Sequence, residues 1–192
     1  AAASAAGTPT PAVTQAVTTT TSALTSPLAS PLAGPAAAAD VTAQAGSANV
    51  KADTAITLDG DSIRVDGKGV TVDGSTATIT AAGAYSISGT LDDGQIAVDT
   101  ADEGDVTLIL NGVDITNSSS AAINIVNAKD AILVLAAGST NVVADGEDYV
   151  FPDTETDEPN AAVFSKADLT ISGEGALYVT GSYNDGISSK DE

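Results

Sequence analysis

The sequence contains no cysteine and no histidine among its 192 residues, and these absences exclude several kinds of chemistry. Without cysteine there is no disulfide and no thiolate nucleophile. Without histidine there is no imidazole for a Ser-His-Asp triad or for a zinc site. Any metal site in this chain would therefore be built from oxygen ligands, which favours Ca²⁺ or Mg²⁺.

Basic residues are scarce, since Lys and Arg total 6 against 26 Asp and Glu, for a formal net charge of −20. Such an acidic chain repels nucleic acids and anionic lipid surfaces, so we expect neither as a partner. No apolar run reaches about 18 residues, so we expect no insertion into a membrane. Methionine is absent, which suggests a processed or partial chain, and the opening AAASAAG is typical of residues that follow a cleaved export signal.

The composition of the chain changes near residue 50. Residues 1–40 contain 14 Ala, 8 Thr, 5 Pro and 4 Ser, and Asp40 is the only charged residue among them. A tract of this kind buries too little large apolar surface to offset its conformational entropy. We therefore interpret residues 1–50 as a low-complexity N-terminal tract or linker. The alternative is that the Thr-rich stretch from Val13 to Leu32 adds a strand to a sheet.

Short apolar motifs recur within residues 51–192, and such repeats indicate stacked structural units. One series begins at residues 77, 106, 131 and 169, and its first copy aligns without gaps from residue 77 onto residue 169. A second series consists of Ile96, Ile123, Val163 and Ile187. Both series have their longest interval across residues 145–160, so we interpret that segment as an insertion into one repeat.

The repeated segments are predicted to be strands that stack as rungs of a parallel β-helix. They are four to seven residues long, alternate with period two, and are separated by Gly, Asn and Asp. Similar strands that recur at such a period stack about 4.8 Å apart, with their inward side chains in columns. We expect an all-β domain over residues 51–192, with about four rungs and with the second series as one column.

Two of these rungs are apolar on both faces, because Ile109, Ile132 and Val134 fall at outward positions. Strands of this kind are usually covered on both faces. We therefore expect the N-terminal tract or a partner to lie over the outward face. The last rung has no polar cap, so we also expect either a longer helix beyond residue 192 or an open end that stacks on another molecule.

The acidic part of the chain, about residues 55–192, resembles a known bacterial family. The stretches LILNGVDIT and EPNAAVFSKADLTISGEGALYVTGSYNDGISSKD are similar to the carbohydrate-binding domain-containing surface proteins of the clostridial cellulose- and pectin-binding type. The resemblance implies an exported, right-handed parallel β-helix at the cell surface. It also implies calcium ions at acidic corners and polysaccharide binding without established catalysis. Ala167 departs from the family motif S-K-D-D-L, which puts a ligand at that position in doubt.

The insertion and the corner after the last long strand are the candidate calcium site. Calcium accepts six to eight oxygen ligands in flexible geometry, so a dense acidic loop can wrap it. The predicted ligands are Asp145, Glu147, Asp148, Asp153, Asp157, Asn184 and Asp185. The alternatives are a solvated acidic loop for the insertion and an ordinary Asp-Gly turn for the corner.

Aromatic residues are few, and three of them lie in polar, turn-rich surroundings. Tyr149, Phe151 and Tyr183 are the candidate carbohydrate-binding residues, because exposed rings can stack on the C–H face of a sugar. The alternative is that the rings pack against their own loop. Aromatics make up only 3% of the chain, so a broad flat platform for crystalline cellulose is not expected.

These observations predict non-catalytic, calcium-assisted binding of a cellulose- or pectin-like polysaccharide at the cell surface, with no catalytic residue. One alternative is a self-assembling extracellular filament subunit with calcium at the subunit joints. The other is a calcium-dependent polysaccharide lyase. A lyase would need one of the recurring lysines Lys129, Lys166 and Lys190 as a base with a lowered pKa. The carboxylates around these lysines favour the charged ammonium instead.

Overall fold

The protein is described here from a computed structural model, which describes residues 14–17, 43–45, 48–151 and 156–190. Over those residues the chain is all-β and contains no helix; accordingly, none of its described segments is a helix that could cross a bilayer. The strands are β1 Thr14–Val17, β2 Ala43–Ala45, β3 Ala48–Val50, β4 Thr54–Gly60, β5 Ser62–Asp66, β6 Val70–Asp73, β7 Thr76–Ile79, β8 Gly83–Leu91, β9 Gln95–Asp99, β10 Val106–Asn117, β11 Ile123–Asn127, β12 Asp130–Leu135, β13 Thr140–Asp145, β14 Ala161–Ser165, β15 Asp168–Gly173, β16 Ala176–Thr180 and β17 Asp185–Ser189.

These strands form two mixed sheets and one small hairpin. The nine-stranded sheet has the order β1-β16-β13-β10-β8-β4-β5, with β12 paired to β10 and β15 paired to β12. The six-stranded sheet has the order β17-β14-β11-β9-β7-β6, and β2 pairs with β3. Strand β10 pairs with β12 through its first half and with β13 through its second half, so it contributes to two parts of the larger sheet.

The column predicted from the second series is confirmed in the six-stranded sheet. Ile96 lies opposite Ile123, Ile123 opposite Val163, and Val163 opposite Ile187, all in parallel register. Ala77 extends this column at its other end, opposite Ile96. The first three of these large side chains are fully buried in the main core, which is why the alternating pattern was visible in the sequence.

One register in the first series differs from the prediction. The strands that begin near residues 106, 131 and 169 stack on one another as expected. However, the strand beneath Val106 begins at Gly83, and Ala77 belongs to the other sheet. The alignment from residue 77 was therefore wrong. Strands β7 and β8 are separated by a short turn and both alternate, so the apolar pattern alone fits either strand.

Hairpins cover the end of the stack near residue 54. Strand β5 pairs antiparallel with β4, and β6 pairs antiparallel with β7. The outermost strands carry the exposed charged residues Arg64, Asp66 and Asp73. Charged side chains on an edge strand discourage further strand pairing, so this end is unfavourable for the addition of another strand.

The outward apolar face is covered, as the sequence predicted. Ile109 and Val134 are fully buried and pack with Ile132, Val50 and Ala52 in a cluster separate from the main core. The cover therefore includes the last residue of the N-terminal tract. Farther upstream, β1 pairs antiparallel with β16, as the strand-adding interpretation of the tract predicted. The rest of the Thr-rich stretch lies outside the described residues.

Two glycines permit close approach between stacked strands. Gly89 has a φ of +99°, and a Cβ there would lie 2.2 Å from the carbonyl oxygen of Leu58 on the strand beneath. Gly173 has a φ of +106°, and a Cβ there would lie 2.2 Å from the carbonyl oxygen of Leu135. Only glycine tolerates this combination of positive φ and contact, so these positions fix where the stacked strands bend.

Candidate functional site

The acidic insertion that follows β13 is fastened to turns of the six-stranded sheet. The backbone N–H of Val150 donates to the carbonyl oxygen of Ser119, at 2.8 Å. Near the other end of the insertion, the carboxylate of Glu158 accepts from Lys166 Nζ at 3.1 Å and also from Lys190 Nζ. These lysines directly follow β14 and β17. The insertion is therefore held against the turn before β11 and against the turns that follow β14 and β17.

A groove of about 360 Å³ lies between the insertion and the sheet. Its walls combine hydroxyl and amide side chains from the sheet with apolar groups from the insertion. The lining residues are Thr76, Gln95, Asn117, Ser119, Ser120, Asn124, Val150, Phe151 and Pro159. None of these side chains carries a charge, although the chain as a whole has a net charge of −20.

The amides of the groove differ in how fully they are used. Asn117 is buried; its Nδ2 donates to the carbonyl oxygen of Gly94 at 3.0 Å and its Oδ1 accepts from Ser119 N at 3.0 Å. Gln95 Nε2 donates to the carbonyl oxygen of Ala121 at 2.7 Å. The half-buried Asn124 amide makes no hydrogen bond with the described residues. The groove thus contains two amides with partners in the protein, Asn117 and Gln95, and one, Asn124, whose donors and acceptor are open to a ligand.

The three aromatic residues predicted to contact sugar lie together at the mouth of this region. Tyr149 and Tyr183 stack with ring centroids 4.4 Å apart and planes 19° from parallel. Phe151 packs against both, at 5.9 Å from Tyr149 and 5.7 Å from Tyr183. Tyr183 keeps 38% of its surface exposed, and Phe151 also lines the groove. The cluster joins an exposed ring to the groove, and its contact with sugar stays a prediction.

Asp145 is committed to this aromatic cluster. Its Oδ2 accepts from the hydroxyl of Tyr149 at 2.7 Å, and its Oδ1 accepts from the backbone N–H of Ser182. The Asp145 residue is only 5% exposed. Burial, with the nearby carboxylate of Asp145, raises the pKa of Tyr149 above its ordinary value. The carboxylate therefore links the insertion to the corner that carries Tyr183.

The other predicted calcium ligands do not assemble around Asp145. Glu147, Asp148 and Asp157 are exposed, and Asn184 Nδ2 donates to Asp185 Oδ2 at 3.2 Å. Asp153 lies outside the described residues. Among the residues that are described, no three acidic side chains come close enough to hold a metal ion. The described residues alone thus do not form a calcium site, and calcium binding stays a prediction.

The recurring lysines neutralise carboxylates, as the sequence suggested. Lys129 Nζ lies 3.0 Å from Asp105 and 3.1 Å from Asp130. The hydrogen bonds to these two carboxylates raise the pKa of Lys129. A lyase base requires a lowered pKa, so this lysine is unsuited to that role.

Sequence reasoning missed three residues that shape the groove, namely Gln95, Asn124 and Glu158. Gln95 precedes Ile96, and Asn124 follows Ile123, so both flank inward residues of the predicted column and point away from the core. A polar residue beside an inward residue of the column could therefore have been identified from the sequence as lying on the outer surface of the sheet. Glu158 gave none, because nothing distinguishes it from the other carboxylates of the insertion.

Comparison with known proteins gives a consistent result. Residues 73–192 match the family described as carbohydrate-binding domain-containing protein. A relative of that description from Acetivibrio thermocellus is 44% identical over 114 residues, which is 59% of this chain and 40% of the relative. The solved structure of the polysaccharide lyase-like protein from C. thermocellum, a gadolinium derivative, has a TM-score of 0.69 and 40% identity over 71% of this chain and 56% of that one. The chain thus spans about half the length of these two proteins or less.

Proposed function

The chain belongs to the carbohydrate-binding domain-containing protein family, and from this premise we propose that it binds polysaccharide at the groove and the aromatic cluster beside it. The observation that carries this proposal is a groove whose described lining residues are uncharged and combine amide and hydroxyl groups with Phe151. Ligand sites typically combine apolar walls with a few polar groups that fix orientation. Sugar rings suit such a surface, since they offer hydroxyls to amides and C–H faces to aromatic rings.

We further propose the right-handed parallel β-helix as the architecture that presents this groove. Support comes from the parallel registers between successive repeats in both sheets and from the long strand β10, which pairs with two later strands. The similarity to the lyase-like structure is also consistent with this architecture. We propose the extracellular, cell-surface location that the sequence resemblance implies.

Calcium assistance belongs to the function predicted from the sequence, and the described residues lend it little support. Asp145 already uses both carboxylate oxygens within the protein, and the other acidic residues that the structure describes form no cluster of three. We therefore derive no step of binding through calcium. The similarity to a polysaccharide lyase-like structure favours the lyase alternative, whereas Lys129, one of its three candidate bases, pairs with Asp105 and Asp130. The filament alternative is opposed at one end of the stack, which charged hairpin strands cover.

The test is retention of the purified protein on insoluble cellulose and in native gels that contain soluble polysaccharides, including polygalacturonate. We expect retention by at least one polysaccharide. Tyr183→Ala should weaken it about twofold to twelvefold, because one ring contact contributes about 0.5–1.5 kcal/mol. Tyr178→Ala is the matched control, since Tyr178 is 41% exposed and lies on the other sheet. Absence of retention by every polysaccharide would contradict the proposal. Retention that EDTA abolishes would return calcium to the mechanism.

A further inference from the structure

We infer that the groove is a subsite for an uncharged sugar unit, whose hydroxyls are recognised by Asn124 and Gln95 without a cation. This inference rests on the proposed polysaccharide-binding function and adds to it a location and a ligand class. It is carried by the charge of the groove, by the chemistry of its open polar groups and by their attachment to rigid strands.

The charges around the groove oppose an acidic sugar. No lysine or arginine lines it. Lys166 and Lys190 stand near the insertion, but both pair with Glu158. The exposed carboxylates of Glu147 and Asp148 immediately precede the segment that forms the insertion wall. A uronate carboxylate placed here would lose water without meeting an opposite charge, which is strongly unfavourable.

The open polar groups match the hydroxyls of a neutral sugar. The side-chain amide of Asn124 supplies two N–H donors and an acceptor oxygen, so it can bond two neighbouring hydroxyls. Gln95 Nε2 is held by the carbonyl oxygen of Ala121, and no described residue donates to Gln95 Oε1. Gln95 Nε2 also donates to Ser120 Oγ at 3.4 Å, and the hydroxyl-bearing residue Thr76 lines the same groove.

The position of these groups is fixed before a ligand arrives. Gln95 and Asn124 lie on the adjacent parallel strands β9 and β11, where Ile96 and Ile123 next to them are fully buried. Side chains on packed strands are held more precisely than side chains on loops. Phe151 lines the same groove from the insertion. The subsite therefore joins two strand-borne amides to one ring.

The experiment measures retention in native gels that contain hydroxyethylcellulose, xylan or polygalacturonate, each run with EDTA and repeated with CaCl₂. We expect retention by a neutral polysaccharide in EDTA. Asn124→Ala and Gln95→Ala should each weaken it about fivefold to tenfold, since a lost hydrogen bond contributes about 1 kcal/mol. Asn127→Ala is the matched control, because Asn127 is an exposed residue at the far end of the same strand. Asn124→Lys should weaken neutral binding and introduce retention by polygalacturonate.

The outcomes separate this inference from the proposed function. Preference of the wild type for polygalacturonate, or retention only with CaCl₂, would overturn the inference and leave polysaccharide binding intact. Neutral binding that Tyr183→Ala weakens while Asn124→Ala and Gln95→Ala leave it unchanged would place the sugar on the aromatic cluster instead, which also overturns the inference. No retention by any polysaccharide would overturn the proposed function and the inference together. Thermal melting of each variant identifies losses that come from unfolding.

Discussion

Asp145 uses both carboxylate oxygens inside the protein, one for the hydroxyl of Tyr149 and one for the backbone N–H of Ser182. The sequence indicated a carboxylate at a strand end in an acidic loop, and that pattern is common to cation ligands and to structural acceptors. Which role applies depends on the nearest donors, and one of these lies 37 residues away in sequence. The aromatic residues were easier to single out, because rings are uncommon in a chain with 3% aromatics, and their contact with sugar stays a prediction.

The pKa of Tyr149 gives a pH prediction at the same scale. Because burial and the Asp145 carboxylate raise this pKa above its ordinary value of 10.0, the folded state keeps a proton that the unfolded chain loses. The stability from this group is therefore present below about pH 10 and is lost as the pH rises above that value. In urea unfolding at pH 8–11, Tyr149→Phe should flatten the alkaline decline in the free energy of unfolding. It should also lower that free energy by about 1–3 kcal/mol at neutral pH, because Asp145 loses a donor.

Tyr178→Phe is the control for this measurement, since Tyr178 is exposed on the larger sheet. Tyr85 also has a raised pKa, mainly through burial, and contributes the same alkaline decline to wild type and variant alike. Equal slopes for wild type and Tyr149→Phe above pH 10 would show that Tyr149 titrates normally in the folded protein.

At the scale of strands, the column through Ile123 was predictable because each inward residue recurs at the same point of a repeat. The starting register of β8 was not, because an alternating pattern does not record which sheet a strand joins. The hairpin strands β5 and β6 were missed as well, since they lie outside both repeat series. Periodicity therefore predicted the interior of the stack, whereas its end depends on turns and pairings that the repeats do not encode.

Truncation within the column tests the stacking directly. Ile123→Ala should lower the free energy of unfolding by about 2–5 kcal/mol, because it leaves a cavity between Ile96 and Val163. Val126→Ala on the same strand removes a side chain that is 42% exposed and should cost less than about 0.5 kcal/mol. Chemical denaturation followed by circular dichroism gives both values. Similar costs for the two variants would contradict the assigned inward column.

The insertion offers a second prediction at this scale, because Glu158 fastens it to two lysines. Hydrogen bonds from Lys190 and Lys166 lower the pKa of Glu158 below its ordinary value of 4.5. The stability that these ion pairs contribute is therefore present above about pH 4.5 and is lost as the pH falls through the lowered pKa. At neutral pH, Glu158→Gln should speed chymotrypsin cleavage after Tyr149 several-fold, whereas Pro152 protects the bond after Phe151. Glu103→Gln, at an exposed carboxylate in the turn after β9, should not. Equal cleavage of both variants would mean that the ion pairs do not hold the insertion, since exposed pairs often contribute less than about 1 kcal/mol.

At the scale of the whole molecule, negative charge is in large excess, with 26 acidic residues against 6 basic ones. Four ion pairs connect three of the lysines to carboxylates within the described residues, which leaves most of the negative charge to repel itself. Repulsion of this kind destabilises the compact state and is screened by salt over about 10 Å at 0.1 M. The net charge was evident from the sequence, but its distribution around an uncharged groove was not, because that groove is assembled from separate repeats and the insertion.

Thermal melting in two salts distinguishes general screening from a specific cation site. Because the described carboxylates are dispersed, we expect the midpoint to rise steadily with NaCl up to about 0.5 M, as repulsion between exposed charges is screened. Addition of CaCl₂ to about 0.1 mM at constant NaCl should leave the midpoint unchanged, since that concentration adds almost nothing to the ionic strength. A site that binds calcium tightly would instead raise the midpoint by mass action, and EDTA would reverse the rise. That result would support the calcium prediction for the insertion, including Asp153, and would require binding to be retested with the ion present.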